Sequence, residues 1–243
     1  MNIIGIIPAR YASSRFPGKP LVDLKGKTMI QRVYEGASKS KKISNIIVAT
    51  DDQRIYDAVK SFGGQVVMTN PDHLSGTDRC GEVAKLFPDV DVVLNIQGDE
   101  PLVNFQQLDA LCSVFDDDKI EIATLGIDKV TEEERQNPNR IKIILDKDEN
   151  AMYFSRSPIP NTENAKQEII NQFQFYRHIG LYAYRKNTLL ELVNLKPTLI
   201  EKIESLEQLR WMYYGYKIKV VQTEIETPNI DVPEDLEKVL KEL

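Results

Sequence analysis

Cysteine, histidine and tryptophan are scarce in this chain: two Cys, two His and one Trp among 243 residues. Cys80 and Cys112 cannot build a zinc cluster by themselves, and His73 and His178 add little to the count. Both cysteines are expected to be reduced, largely buried small hydrophobes. No stretch approaches about 18 consecutive apolar residues, so no membrane span is expected. The apolar run Ile3 to Pro8 is shorter than the core of a secretory leader, has no basic segment before it and leads straight into Arg10. Cytoplasmic residence is therefore expected. Runs of five or more basic residues are also missing, and 31 Lys+Arg against 37 Asp+Glu leave a net charge of −6. That balance excludes a dedicated nucleic-acid or membrane-surface binder, although local cations can still serve a small anion. The 42% of apolar residues can fill a single sizeable core, and 243 residues suit one large α/β domain with a modest appendage.

Short β-rich runs alternate with amphipathic stretches through the first half, the order that yields a parallel sheet covered by helices. Strands are expected at residues 2–8, 44–50, 65–69 and 92–96. Helices are expected at 28–39, with Met29, Ile30, Val33 and Ala37 on one face, from Asp51 to a Gly63-Gly64 stop, and at 77–87. Beyond about 128 the pattern changes. A charged stretch leads to a hairpin over 141–145 turning at 146–150, and residues 156–160 (RSPIP) are too Pro-rich for a helix or central strand. Residues 177–184 return to a strand with His178, Gly180 and Tyr182 on one face. A helix over 200–214, a strand at 217–222 and a terminal helix from Pro233 complete the reading.

Ligands of open α/β sheets sit outside the carboxyl ends of the strands, and the polar, Gly- and Pro-punctuated turns of this chain follow the first, third and fourth of them. The loop 8–20 (PARYASSRFPGKP) carries Arg10, Arg15 and Lys19 among small residues, so N–H groups and cationic heads can converge on one anion such as a triphosphate. Each charge-assisted bond to phosphate contributes roughly 1.5–3 kcal/mol; a solvated basic loop is the plainer reading of the same composition. Gly26-Lys27-Thr28 has the ending of a Walker A loop, but that pattern needs Gly where Leu21 stands, and no dinucleotide fingerprint follows the first strand. Asp99, in Gln97-Gly98-Asp99-Glu100-Pro101, can ligate Mg²⁺ or cap a turn. Asp231, just before the terminal helix, stands between the same two roles. Ser75-Gly76-Thr77-Asp78-Arg79 places a hydroxyl, a glycine and an arginine at a helix start, suited to an anion or to simple capping. His178 and Tyr182 share a strand face, and Glu207 and Gln208 flank a helix whose Ile203, Leu206, Leu209 and Tyr213 would face inward. Such mixed donors and acceptors suit a polyhydroxylated acid, while a core histidine and a solvated helix face account for the same spacing.

Taken in order, the run IPARYASSRFPGKPLVDLKGKTMI and the segments IIVATDD (46–52), SGTDR (75–79), NIQGDEP (95–101), NPNRIKIILD (137–146), YFSRSPIP (153–160), RHIGLYAYR (177–185), LEQLR (206–210) and DVPEDLE (231–237) closely resemble the 3-deoxy-D-manno-octulosonate (KDO) cytidylyltransferase family over nearly the whole chain. The resemblance implies a Rossmann-like, mostly parallel α/β sheet flanked by helices, the nucleotide-diphospho-sugar transferase fold, as one domain over 1–243 with a dimerisation insertion at about 128–176. It implies transfer from CTP to KDO, giving CMP-KDO and pyrophosphate for lipopolysaccharide synthesis, with Mg²⁺ as cofactor and a homodimer as the assembly. Pro8, Ala9, Arg10, Arg15 and Lys19 match the nucleotide-binding loop, and Ser75, Gly76 and Arg79 the nucleotide pocket. Asp99 and Asp231 match the Mg²⁺ ligands, and Gln97, Arg156, His178, Tyr182, Glu207 and Gln208 the sugar-acid pocket. Lys19, Arg10 and Asp99 are the expected catalytic residues. Asp78 stands where Glu is common in the family, and Val232 where Thr often precedes the proline. The rival readings are a cytidylyltransferase for 8-amino-KDO or a sialic acid, and a silent nucleotide-binding protein on the same fold.

Overall fold

The computed structural model describes residues 1–12, 16–230 and 232–243. The chain runs β1 (Ile3–Ala9), α1 (Met29–Ala37), β2 (Asn45–Thr50), α2 (Gln53–Ser61), β3 (Gln65–Met68), α3 (Gly76–Lys85), β4 (Val92–Asn95), α4 (Phe105–Ser113) and β5 (Ile122–Ile127). There follow α5 (Glu132–Gln136), β6 (Lys142–Leu145), β7 (Ala151–Ser155), α6 (Gln167–Ile170), β8 (Tyr176–Arg185), α7 (Lys186–Leu192), α8 (Leu199–Glu204), α9 (Gln208–Tyr213), β9 (Lys219–Thr223) and α10 (Leu236–Glu242).

The sheet order is β3-β2-β1-β4-β8-β5-β9, parallel throughout except for β8, which runs against both neighbours. This is the expected mostly parallel α/β sheet. Helices cover both faces because β1, β2, β4 and β5 are apolar on both sides, as strands of a doubly covered sheet must be. On one face Met29, Ile30, Val33 and Ala37 of α1 are wholly buried beside Leu108 and Leu111 of α4 and Val239 of α10. On the other, Val83 of α3, Leu189 of α7 and Trp211 of α9 pack against Ile4, Val93 and Tyr184. Each fully buried side chain of this size contributes roughly 1.5–3 kcal/mol. Cys80 belongs to one layer and Cys112 to the other, both free and buried, with burial pushing the Cys112 thiol up to about 12.

The hairpin forms as its turn chemistry predicts: the Asp146 carboxylate accepts the N–H groups of Asp148 (2.9 Å) and Asn150 (2.8 Å). It is not isolated, however. Lys142 and Ile143 pair with Arg177 and Tyr176 at the start of β8, and His178 donates its N–H to Ile141 (2.8 Å). A hairpin alone is marginal in water, and here the main sheet supplies its third strand.

Two further expectations change. The single helix over 200–214 is two helices, α8 and α9, separated at Ser205, whose φ of 52° is left-handed. One such residue breaks the helical phase, so Leu206 and Leu209 are buried as expected while Ile203 and Tyr213 are 83% and 70% exposed. Asp52, rather than Asp51, caps α2, its side chain accepting the N–H of Arg54. Asp51 is left to pair with Arg79 across the sheet edge.

Candidate active site

β1 and β4 are neighbours in register, Ile6 opposite Asn95, so their carboxyl ends deliver Pro8 to Arg10 and Gln97 to Asp99 side by side. Gly98 is required by that approach, since a Cβ there would stand 2.9 Å from the Pro8 carbonyl oxygen. A cavity of about 390 Å³ opens at this edge, lined by Pro8, Ala9, Arg10, Lys19, Gly76, Arg79, Gln97 and Asp99. Lys19 crosses it. Its ammonium donates to the Asp99 carboxylate (2.8 Å) and to the Ile230 carbonyl (2.8 Å), while the Ile230 N–H donates to the Asp99 carbonyl (2.9 Å). The segment leading into residue 231 is therefore fastened to Asp99. Arg15 and Asp231 themselves lie outside the described residues.

Arg10 lines the cavity and donates to the carbonyl of His73, joining the first loop to the loop before α3. The Arg79 guanidinium is wholly buried, paired with Asp51 at 3.2 Å and donating to the Thr69 hydroxyl. Ser75 is the N-cap of α3 in a reciprocal capping box with Asp78. Ser75 lines a separate cavity of about 740 Å³, whereas Gly76 and Arg79 line the 390 Å³ one.

A second cavity, of about 490 Å³, adjoins the first and shares Gln97 and Asp99 with it. Its floor follows from an irregularity in β8. Thr124 of β5 pairs with Tyr182 but Leu125 pairs with Ile179, so Gly180 and Leu181 bulge out of the ladder. The Gly180 carbonyl then accepts from Gln97 Nε2 (2.9 Å). His178 and Tyr182 line the cavity from the same face. The Thr124 hydroxyl donates to the Leu181 carbonyl (2.8 Å) and lies 2.9 Å from His178 Nε2. Burial, then the Arg177 charge, hold His178 neutral by lowering its pKa to about 3. Tyr182 is fixed by Trp211, Tyr184 and His178 rings at 5.1–6.0 Å, and its hydroxyl is buried.

These cavities, a cation-lined one and one of mixed donors meeting at an acid, suit transfer of a nucleotidyl group to a polar acceptor. Residues 4–218 match the family model described as cytidylyltransferase. The chain belongs to the cytidylyltransferase family. It is 53% identical to the 3-deoxy-manno-octulosonate cytidylyltransferase of Parabacteroides distasonis, over 99% of this chain and 97% of that one. It is 46% identical to the 8-amino-3,8-dideoxy-manno-octulosonate cytidylyltransferase of Shewanella frigidimarina, over 98% and 97%. Among solved structures, a CMP:2-keto-3-deoxy-manno-octonic acid synthetase complexed with CTP superposes with a TM-score of 0.93 at 40% identity, covering 99% of this chain and 98% of that one.

The remaining expected residues of this cytidylyltransferase chain are placed unevenly. Arg156 lines the 490 Å³ cavity, but its guanidinium is engaged by main-chain carbonyls of Glu204 (2.8 Å), Pro138 (3.0 Å) and Ser205 (3.4 Å). It braces the wall and the C-terminus of α8. Glu207 lies instead on the 740 Å³ cavity, accepting from the Thr77 hydroxyl at 2.7 Å, with its pKa raised by burial. Gln208 is 5% exposed, and its Nε2 has no hydrogen-bond partner among the described residues. Neither residue is among those lining the 490 Å³ cavity.

Sequence reasoning missed Glu100, Arg140, Arg177 and Glu226, which all line that cavity. Glu100 is 7% exposed, and burial, with the Asp99 charge, raises its pKa to about 8. Arg177 is buried between Glu134 (3.2 Å) and Glu226 (2.7 Å), and Arg140 approaches Glu226 at 3.6 Å. Arg177 carried a signal, a charge near the start of a largely apolar strand; Glu226 carried none, because its partners are distant in sequence.

Proposed function

We propose that the chain transfers the cytidylyl group of CTP to the anomeric hydroxyl of KDO, with release of pyrophosphate. The observation that carries this reading is the meeting of the two cavities at Gln97 and Asp99, with Lys19 held against Asp99. The triphosphate is taken to occupy the 390 Å³ cavity, where Arg10 and Lys19 counter its charge. The sugar acid occupies the 490 Å³ cavity, oriented by Gln97, His178 and Tyr182. The attacking oxygen then approaches the α-phosphorus at the shared wall. The new P–O bond forms as the bond to pyrophosphate breaks, and the hydroxyl proton passes to water. Catalysis is positioning and charge neutralisation, without a covalent enzyme intermediate. The neutral His178 supports this reading, since it can hydrogen-bond a sugar hydroxyl without adding a charge.

The donor set at the shared wall fits Mg²⁺, a hard ion that takes oxygen ligands and usually leans on one or two carboxylates and substrate phosphates. Among the described residues no group of three or more acids, histidines or cysteines could hold a metal alone, so Asp99 would be joined by Asp231 and the nucleotide. Bound there, Mg²⁺ would counter phosphate charge and lower the pKa of the attacking hydroxyl.

A homodimer is part of the proposal. Exposed Met152 on β7, Leu199 and Ile203 on α8 and Tyr213 at the end of α9 support it, because elements in mutual contact carry them. So is residence in the cytoplasm, where CTP is available for lipopolysaccharide synthesis; among the described residues no helix is long and apolar enough to cross a membrane. Pyrophosphate release with CTP and Mg²⁺, compared across KDO, 8-amino-KDO and a sialic acid, tests the function. KDO should give the highest kcat/KM. CTP binding without release from any of the three would mark a silent nucleotide-binding protein.

A further inference from the structure

β6 opens with a lysine set between isoleucines, Ile141-Lys142-Ile143, and that lysine is 1% exposed. Its ammonium is held by main-chain carbonyls, donating to Asn137 (2.9 Å) and Arg156 (2.5 Å). The acid that supports its charge, Glu204, is itself occupied by the Ser155 hydroxyl (2.7 Å) and the Arg156 N–H (2.9 Å). Burying an ammonium is costly, and an apolar residue of similar volume generally serves a core as well or better. The fold accepts the cost at one particular place, where two irregular segments come together. One runs from Asn137 into Asn139 and Arg140; the other is Arg156. Both form walls of the 490 Å³ cavity. Arg156 Nη1 ties the same segments again through the Pro138 carbonyl (3.0 Å).

We infer that Lys142 is a positioning residue for the sugar-acid cavity, setting the separation of its two walls by bridging the carbonyls of Asn137 and Arg156. This rests on the reading of that cavity as the sugar-acid site. Neither Lys142 nor the residues it holds line the nucleotide cavity, so its loss should be felt by one substrate and not the other. A purely structural lysine would not produce that split.

The test compares Lys142→Met, which fills the volume without a donor, with Lys142→Gln, which keeps N–H donors on a shorter stem. Lys142→Met should raise KM for the sugar acid about tenfold, the scale of a small misplacement of substrate-positioning groups, with KM for CTP and calorimetric CTP binding within about twofold of wild type. Lys142→Gln should fall between the two and keeps the test available if the methionine variant does not fold. An unchanged sugar-acid KM in a folded variant, or equal rises in both KM values with a lowered Tm, overturns the assignment to positioning. Wild-type protein that binds CTP but turns over no sugar acid overturns the functional reading and this inference together. Wild-type turnover with an unmoved KM in the variants overturns the inference alone.

Discussion

Lys19 and Asp99, 80 residues apart in sequence, meet at 2.8 Å at the wall between the two cavities, with side chains only 14% and 27% exposed. Ile230 binds both through its main chain. A cation, a strand-end carboxylate and the segment before Asp231 are thus assembled by three distant parts of the chain. Partial burial makes that pairing stronger than a surface ion pair.

Asp99→Asn should lose at least about a hundredfold in pyrophosphate release, the scale of removing one group that stabilises transition-state charge, while keeping the wild-type circular dichroism spectrum. Near wild-type Mg²⁺-dependent turnover would remove Asp99 from the proposed metal site. Lys19→Met should lose a comparable factor in kcat.

Gly98→Ala tests the approach of the strand ends. Its new Cβ would press on a main-chain oxygen at 2.9 Å, which cannot rotate away, so β1 and β4 must part beyond Asn95. Stability should fall by about 1–3 kcal/mol, the usual cost of overpacking, and CTP affinity measured by calorimetry should fall with it. Unaltered affinity would mean that the cavity tolerates the shift.

Asp51→Ala leaves the wholly buried Arg79 guanidinium without its carboxylate. Removing one member of a buried pair costs about 3–5 kcal/mol; because Asp51 is 19% exposed, the lower end, about 3 kcal/mol, is expected in urea unfolding. A change below about 0.5 kcal/mol, typical of an unremarkable surface site, would show that the pair contributes little.

His178 makes the fold sensitive to acid. Its pKa is lowered from 6.5 to about 3, so the unfolded chain takes up a proton that the folded one refuses. The stabilising contribution is full above pH 6.5 and fades as pH falls towards 3. Between pH 7 and pH 5 this group alone should cost about 2 kcal/mol. His178→Gln should lose correspondingly less over the same interval, read as the difference between urea midpoints at the two pH values. Parallel losses in both proteins would place the acid sensitivity elsewhere.

Much of the sheet was legible because its signals are local. Four strands and the buried face of α1 follow from apolar runs and a 3.6-residue period, and Gly63, with φ of 79°, ends α2 where expected. The two halves of the 200–214 helix were not legible, since a single left-handed serine shifts the phase without any glycine to mark it. Ser75, Arg156 and Glu207 could be named from their motifs, but not what their atoms would touch. Lys142 was visible only as a charge among isoleucines.

Residue types at the strand ends, the cationic first loop and the ordered motifs of the family are properties of the sequence alone, because each depends on neighbours within a few positions. Which cavity each side chain faces was decided by tertiary structure. The β8 bulge aims Gly180 at Gln97, β6 docking brings Lys142 between two walls, and the return of residue 230 to Asp99 closes the site. Those contacts span tens to hundreds of residues, and no local pattern of hydrophobicity or turn chemistry encodes the distance between them.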